Sequence, residues 1–156
     1  MTSYEKLLNE ADNNNVQVIE NYDFSNTRLK GLYCDSYIAL SSELGTEAEK
    51  NSILHEELGH HHTSTGNILD VTDLNCIKQE RQARIWAYNN AIGLYGIISS
   101  YKQGCKNQYE MAEYLNITEI FLKEALAYYK ERYGIYTRFD NYMIFFEPLG
   151  VFELYK

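Results

Sequence analysis

All four histidines of this 156-residue chain fall between His55 and His62, within a stretch that reads as one helix. Thr46 is a good N-cap, and Glu47 and Glu49 place acids in the first turn, where a helix favours them. The spacing predicts a helix from there to about His62, stopping before Gly66. At roughly 100° per residue, Glu56 and His60 lie about 40° apart, and His55 lies about 140° from His60. Asn51, Leu54 and Leu58 form a core-facing stripe. Ile53, Glu56, Glu57 and His60 form a second, polar one.

The rest of the chain supports one domain of ordinary size. Hydrophobic residues make up 45% and charged residues 23%, a globular balance that excludes a disordered chain. Mean hydropathy is −0.45, and no apolar run approaches the ~18 residues of a membrane span. The start, Met1 to Asn15, lacks a basic segment followed by an apolar run, so no secretion signal is expected. The net charge of −8 argues against binding nucleic acid by phosphate neutralisation. Cys34, Cys76 and Cys105 are odd in number and far apart, which fits a reduced cytoplasmic setting. None has a neighbouring base, and they read as small buried hydrophobes.

The fold expected is α+β. A short helix spans Tyr4 to Ala11, and Val16 to Ile19 reads as a strand. A hairpin follows, with Gly31 to Tyr33 and Tyr37 to Leu40 joined at Cys34-Asp35-Ser36. After the histidine helix, a second long helix covers about Ile77 to Ile92 and closes at Gly93. Shorter helices are expected at Gly96–Tyr101, Gln108–Leu115 and Thr118–Arg132. A terminal hairpin pairs Tyr142–Phe146 with Val151–Tyr155 around Pro148-Leu149-Gly150. The organisation expected is residues 1–94 carrying the histidine helix, a helical lobe at 95–134 and a terminal hairpin at 135–156, in one compact unit. Ala112, Leu115, Ile117, Phe121, Leu122 and Ala125 give the lobe the apolar spacing of a helix-turn-helix. Its second helix has balanced charge with bases only at its far end, which disfavours DNA reading.

The zinc peptidase helix HExxH sets two histidines four residues apart on one face. Here that frame holds Glu56-Glu57-Leu58-Gly59-His60, with glutamate in the first ligand position and Glu57 in the position of the general base. The same face also reads as a solvated, i,i+4-paired helix surface. A third ligand is required for a catalytic zinc. Glu80 qualifies, on a stripe with the small residues Ala83, Ala87 and Ala91 that lets a following antiparallel helix come close. Asp70 and Asp73, in the connection, are rivals.

Glu56-Glu57-Leu58-Gly59-His60-His61, Gly66-Asn67-Ile68 and Gln79-Glu80-Arg81-Gln82-Ala83-Arg84-Ile85-Trp86-Ala87 resemble the ImmA/IrrE metallopeptidases, as does Lys30-Gly31-Leu32-Tyr33. The resemblance spans about Lys30 to Ala91. It implies a small sheet packed on zincin-like helices, with Glu56, His60 and Glu80 holding a divalent metal and Glu57 as catalytic base. His61 and Arg84 then stand as substrate contacts. It implies zinc first, with manganese or iron as alternatives, because Glu56 replaces the family's first histidine and hardens the donor set; an empty site is the remaining alternative. It implies a protein substrate, a helix-turn-helix repressor of a phage or mobile element, and a cytoplasmic enzyme with no membrane partner. The competing expectation is a non-catalytic regulator that keeps the fold and binds the repressor.

Overall fold

A computed structural model describes residues 1–25, 27–64 and 73–154. The class is α+β, with two small three-stranded sheets among helices. The Gly66-Asn67-Ile68 run, Asp70 and Tyr155 lie outside the described residues, as does the side chain of Asp73. The chain divides into two compact units, residues 1–87 and 88–156.

In the first unit, helix α1 (Ser3–Asn13) opens with a capping box. The Thr2 side chain accepts from the Glu5 N–H, and the Glu5 carboxylate takes the Thr2 N–H. Strands β1 (Gln17–Tyr22), β2 (Gly31–Cys34) and β3 (Tyr37–Ser41) form a sheet in the order β1-β3-β2. β1 runs parallel to β3, and β2 antiparallel to it. Asp35 and Ser36, with φ of 47° and 65°, make the two-residue turn that joins β2 to β3. Ile38 and Leu40 point inward from β3, onto α1 and α2 (Glu47–Thr63). The expected Thr46 cap is present: its side chain accepts from the Glu49 N–H.

The inward stripe of α2 comprises Asn51, Leu54 and Leu58, all buried, and they join Tyr4, Leu7, Ala11 and Val16 around the core. Each fully buried leucine contributes about 1.5–3 kcal/mol. Helix α3 (Asp73–Ala91) begins earlier than the apolar spacing indicated, and the boundary between units falls within it.

The second unit contains α4 (Gly93–Lys102), α5 (Gln108–Leu115), α6 (Glu119–Tyr133) and a sheet of β4 (Tyr136–Phe139), β5 (Tyr142–Phe146) and β6 (Leu149–Glu153). Gly93 both ends one helix and begins the next, which its φ of +63° permits. Asn116 closes α5 in the left-handed region, and Thr118 caps α6 by accepting from the Phe121 N–H. Tyr129 is buried and anchors α6, accepting from the Gly93 N–H and donating to Asn89.

The terminal hairpin expected from sequence is a three-stranded antiparallel meander, because β4 adds to β5. Asp140-Asn141 supplies the tight turn between them, with Asp140 at φ +53°. No helix among the described residues is long and apolar enough to cross a membrane.

Candidate active site

The geometry of the first unit is set where α2 crosses α3. A Cβ built on Gly59 stands 2.2 Å from the main-chain oxygen of Ala83, so only glycine allows this approach. A mid-helix glycine costs about 1 kcal/mol of helix stability relative to alanine, and the close crossing is what that cost secures. It brings the next residue, His60, against Glu80, one turn before Ala83. Their Nε2 and Oε1 atoms are 3.1 Å apart.

A cavity of about 310 Å³ opens beside this pair. Glu56, Glu57, His60, Glu80 and Arg84 all line it, together with Gly31 and Tyr33 of β2. Five of the six residues singled out from sequence therefore share one wall. The sixth, His61, is directed instead to Tyr33, with Nδ1 2.8 Å from the phenol oxygen. Burial, then the neighbouring His62, lowers the His61 pKa. His62 in turn stacks on Trp86 at 4.5 Å between ring centroids. His55 is buried on the opposite side of α2, where its Nδ1 meets the Asn51 carbonyl at 2.8 Å. Burial lowers its pKa to about 4.

Glu57 carries the electrostatic signature of the site. Burial raises its pKa to about 7, assisted by the charges of Glu56 and Glu80, while the Tyr33 N–H, donating to it, acts in the other direction. A carboxyl group with a pKa near neutrality is suited to taking and releasing a proton at physiological pH.

The donor chemistry suits a divalent ion at two positions. Donors about 2.0–2.1 Å from a tetrahedral ion lie roughly 3.3 Å from one another. The His60–Glu80 separation of 3.1 Å is close to that spacing. Among the described residues no group of three His, Cys, Asp or Glu side chains is arranged to hold an ion. Glu56 lines the same cavity one turn before His60, and it completes a three-donor set only by turning its carboxylate toward the pair.

Gly31, Tyr33 and Gly59 lie in the resembling segments but carried no role of their own in the sequence reading. Gly31 sits inside a strand, and Gly59 inside a helix; an isolated glycine in either place marks close approach of another chain segment. Tyr33 gave no comparable signal, since an inward tyrosine on a strand is ordinary core. No protein-family model, curated protein or solved structure matches the chain.

Proposed function

We propose that the first unit is a divalent-metal-dependent peptidase of the ImmA/IrrE kind, acting on a helix-turn-helix repressor. The observation that carries this reading is the convergence of His60 and Glu80, 3.1 Å apart, with the near-neutral Glu57 carboxyl on one cavity wall. His60, Glu80 and a reoriented Glu56 would hold the ion. When bound, it would polarise the scissile carbonyl and acidify a water molecule. Glu57 would take a proton from a water at the cavity on its carboxylate and return it to the leaving amine. Arg84 at the cavity wall offers a cation to the substrate backbone.

A second reading is favoured by one observation. His60 and Glu80 satisfy each other directly, and no three-donor group is formed among the described residues. On this reading the chain is a regulator that binds its repressor partner without cutting it.

Metal analysis of protein purified without chelator separates the two. The peptidase reading expects about one equivalent of zinc or manganese per chain, lost in His60→Ala and Glu80→Ala and kept in Glu57→Gln. It also expects repressor cleavage to vanish in Glu57→Gln. Absence of metal after zinc or manganese is added would overturn the peptidase reading, and repressor binding without cleavage would then support the regulator reading.

A further inference from the structure

The sheet of the second unit has two outer edges, and they are finished differently. Two main-chain bonds fix its hydrogen-bond phase. The Phe146 N–H donates to the Ile135 carbonyl at 2.9 Å, and the Leu154 N–H to the Asn141 carbonyl at 2.7 Å. Antiparallel pairs alternate between bonded and unbonded. In the register Tyr136↔Phe145 and Ile144↔Val151, Gly150 and Phe152 therefore bond to β5. The main-chain groups of Tyr136 and Arg138 point off β4, and those of Leu149, Val151 and Glu153 point off β6. The β4 edge is guarded by a charge in its middle, Arg138, whose Nε–H donates to the Asp140 carbonyl at 3.2 Å. The β6 edge carries no charge from Leu149 to Phe152. Among the described residues, no partner takes the outward N–H and C=O groups of Leu149 and Val151. Such a row is a template for an added strand.

A cavity of about 290 Å³ lies beside this edge. Leu149 and Val151 line it from the strand, and Tyr101, Cys105 and Met111 line it from α4, the loop that follows and α5. Among the described residues lining it, Lys106 alone is charged. The Lys106 main-chain N–H donates to the Glu110 carboxylate at 2.6 Å, which ties the loop to α5. Its exposed side-chain ammonium has no carboxylate partner among the described residues. One wall of the cavity thus offers main-chain hydrogen bonds, the lining offers apolar contact, and the rim offers one cation.

We propose that the β6 edge and this cavity form a docking site for an extended, acidic peptide segment of a partner protein. The segment adds to the sheet as a fourth strand, bonded to the main chain of Leu149 and Val151. Successive side chains of a strand alternate between faces, so one apolar residue of the segment enters the cavity against Tyr101 and Met111. An acidic residue of the segment meets the Lys106 cation. Strand addition of this kind takes its affinity from main-chain bonds and its specificity from pockets for alternate side chains. The loop around Lys106 stands beside the edge, so a bare strand fits there. A second copy carries the same loop beside its own β6 and does not. Every residue involved belongs to the second unit, so the proposal stands apart from the metal reading of the first.

Amide hydrogen exchange on the full chain reads the edge residue by residue. In the free protein, Leu149 and Val151 should exchange fast while Gly150 and Phe152, bonded to β5, exchange slowly. A displayed library of random peptides about ten residues long, selected against the chain, should enrich sequences that set an acidic residue at a fixed spacing from an apolar one. A synthetic peptide of the enriched sequence should slow Leu149 and Val151 exchange about tenfold or more. N-methylation of that peptide should abolish binding at the alternate residues that face the edge, and only there. Lys106→Glu should weaken binding about tenfold and leave the exchange pattern of the free chain unchanged. Failure to enrich any peptide would overturn the proposal, as would a bound peptide that leaves the two amides fast. Slow Leu149 and Val151 amides in the free protein would also overturn it. Protection that grows with protein concentration would then assign the edge to a second copy, and protection that does not would assign it to the chain itself.

Discussion

The two units solve the problem of making a core in opposite ways. Residues 88–156 contain eleven of the 15 tyrosines and five of the 6 phenylalanines, with seven basic against eight acidic residues. Their centre is aromatic and aliphatic, from Phe121, Leu122 and Tyr129 to Ile144 and Phe146. Residues 1–87 carry seven basic against fourteen acidic residues. They bury His55 within α2, hold Glu57 close to neutrality and place a glycine mid-helix. Local propensity and tertiary structure conflict most sharply at Gly59, where the Ala83 main chain crowds the helix, whereas Gly96 within α4 meets only side chains at 3.4 Å or more. Conflicts of that kind concentrate where a chain gives up stability for a site.

The sharpest test of this contrast substitutes one glycine in each unit. Gly59→Ala should cost about 3 kcal/mol or more, because the new methyl meets the Ala83 main-chain oxygen, which cannot yield as a side-chain tip does. Gly93→Ala has open space around it and a φ of +63°, so it should cost only about 1–2 kcal/mol. Urea unfolding gives both values, and hydrogen exchange locates the loss. Equal costs would break the distinction.

Acid should also separate the units. His55 has a folded pKa of about 4 against an ordinary 6.5. Between those values the unfolded chain takes up a proton that the folded chain refuses. The His55 contribution to stability should therefore fall as pH drops from 6.5 to 4, by roughly 3 kcal/mol, while Glu57, whose pKa is raised to about 7, contributes a comparable gain of opposite sign over nearly the same range. Among the described residues of the second unit, the resolved shifts belong to Lys102, Cys105 and Tyr129, and all move upward, away from this window. Because the His55 and Glu57 contributions offset each other, His55→Leu should leave stability rising as pH falls from 7 to 4.5, and Glu57→Gln should leave it falling from 6.5 to 4, both read by urea unfolding across pH. A pH dependence left unchanged by His55→Leu would contradict the assignment to His55.

The smallest effects should be alike in the two units. Thr46→Ala and Thr118→Ala each remove one capping oxygen, from the Glu49 N–H and the Phe121 N–H respectively. Each should cost about 1 kcal/mol in thermal or urea unfolding. A large difference would show that one cap is tied to its surroundings beyond its own helix.

What could be read from sequence cuts across the two units. The Thr46 and Thr118 caps, the Asn116 stop and the Asp35-Ser36 turn are local devices, and each appears where its residues place it. β4 was overlooked because Tyr136–Phe139 is short and its pairing is written in the Asp140-Asn141 turn that follows it. The parallel pairing of β1 with β3 has no local signal, since it depends on the core that α1 and α2 build. At the site, helix angles put Glu56, Glu57 and His60 on one face, and the small stripe of α3 pointed to Glu80. The space at Gly31 depends on the edge of a sheet lying against a helix, which no spacing within one element encodes.

The Gly59–Ala83 contact also acts as a fulcrum. Glu80 lies three residues from it, about 4.5 Å along the helix axis, and His60 is the very next residue on α2. If α3 rocks about this point by about 10°, the backbone at Glu80 moves only about 0.8 Å. The backbone at Asp73, ten residues from Ala83 and about 15 Å along the axis, moves about three times further. The His60–Glu80 gap therefore sits near the still point of any such rocking, so the wall of the cavity can flex around a fixed pair of donors.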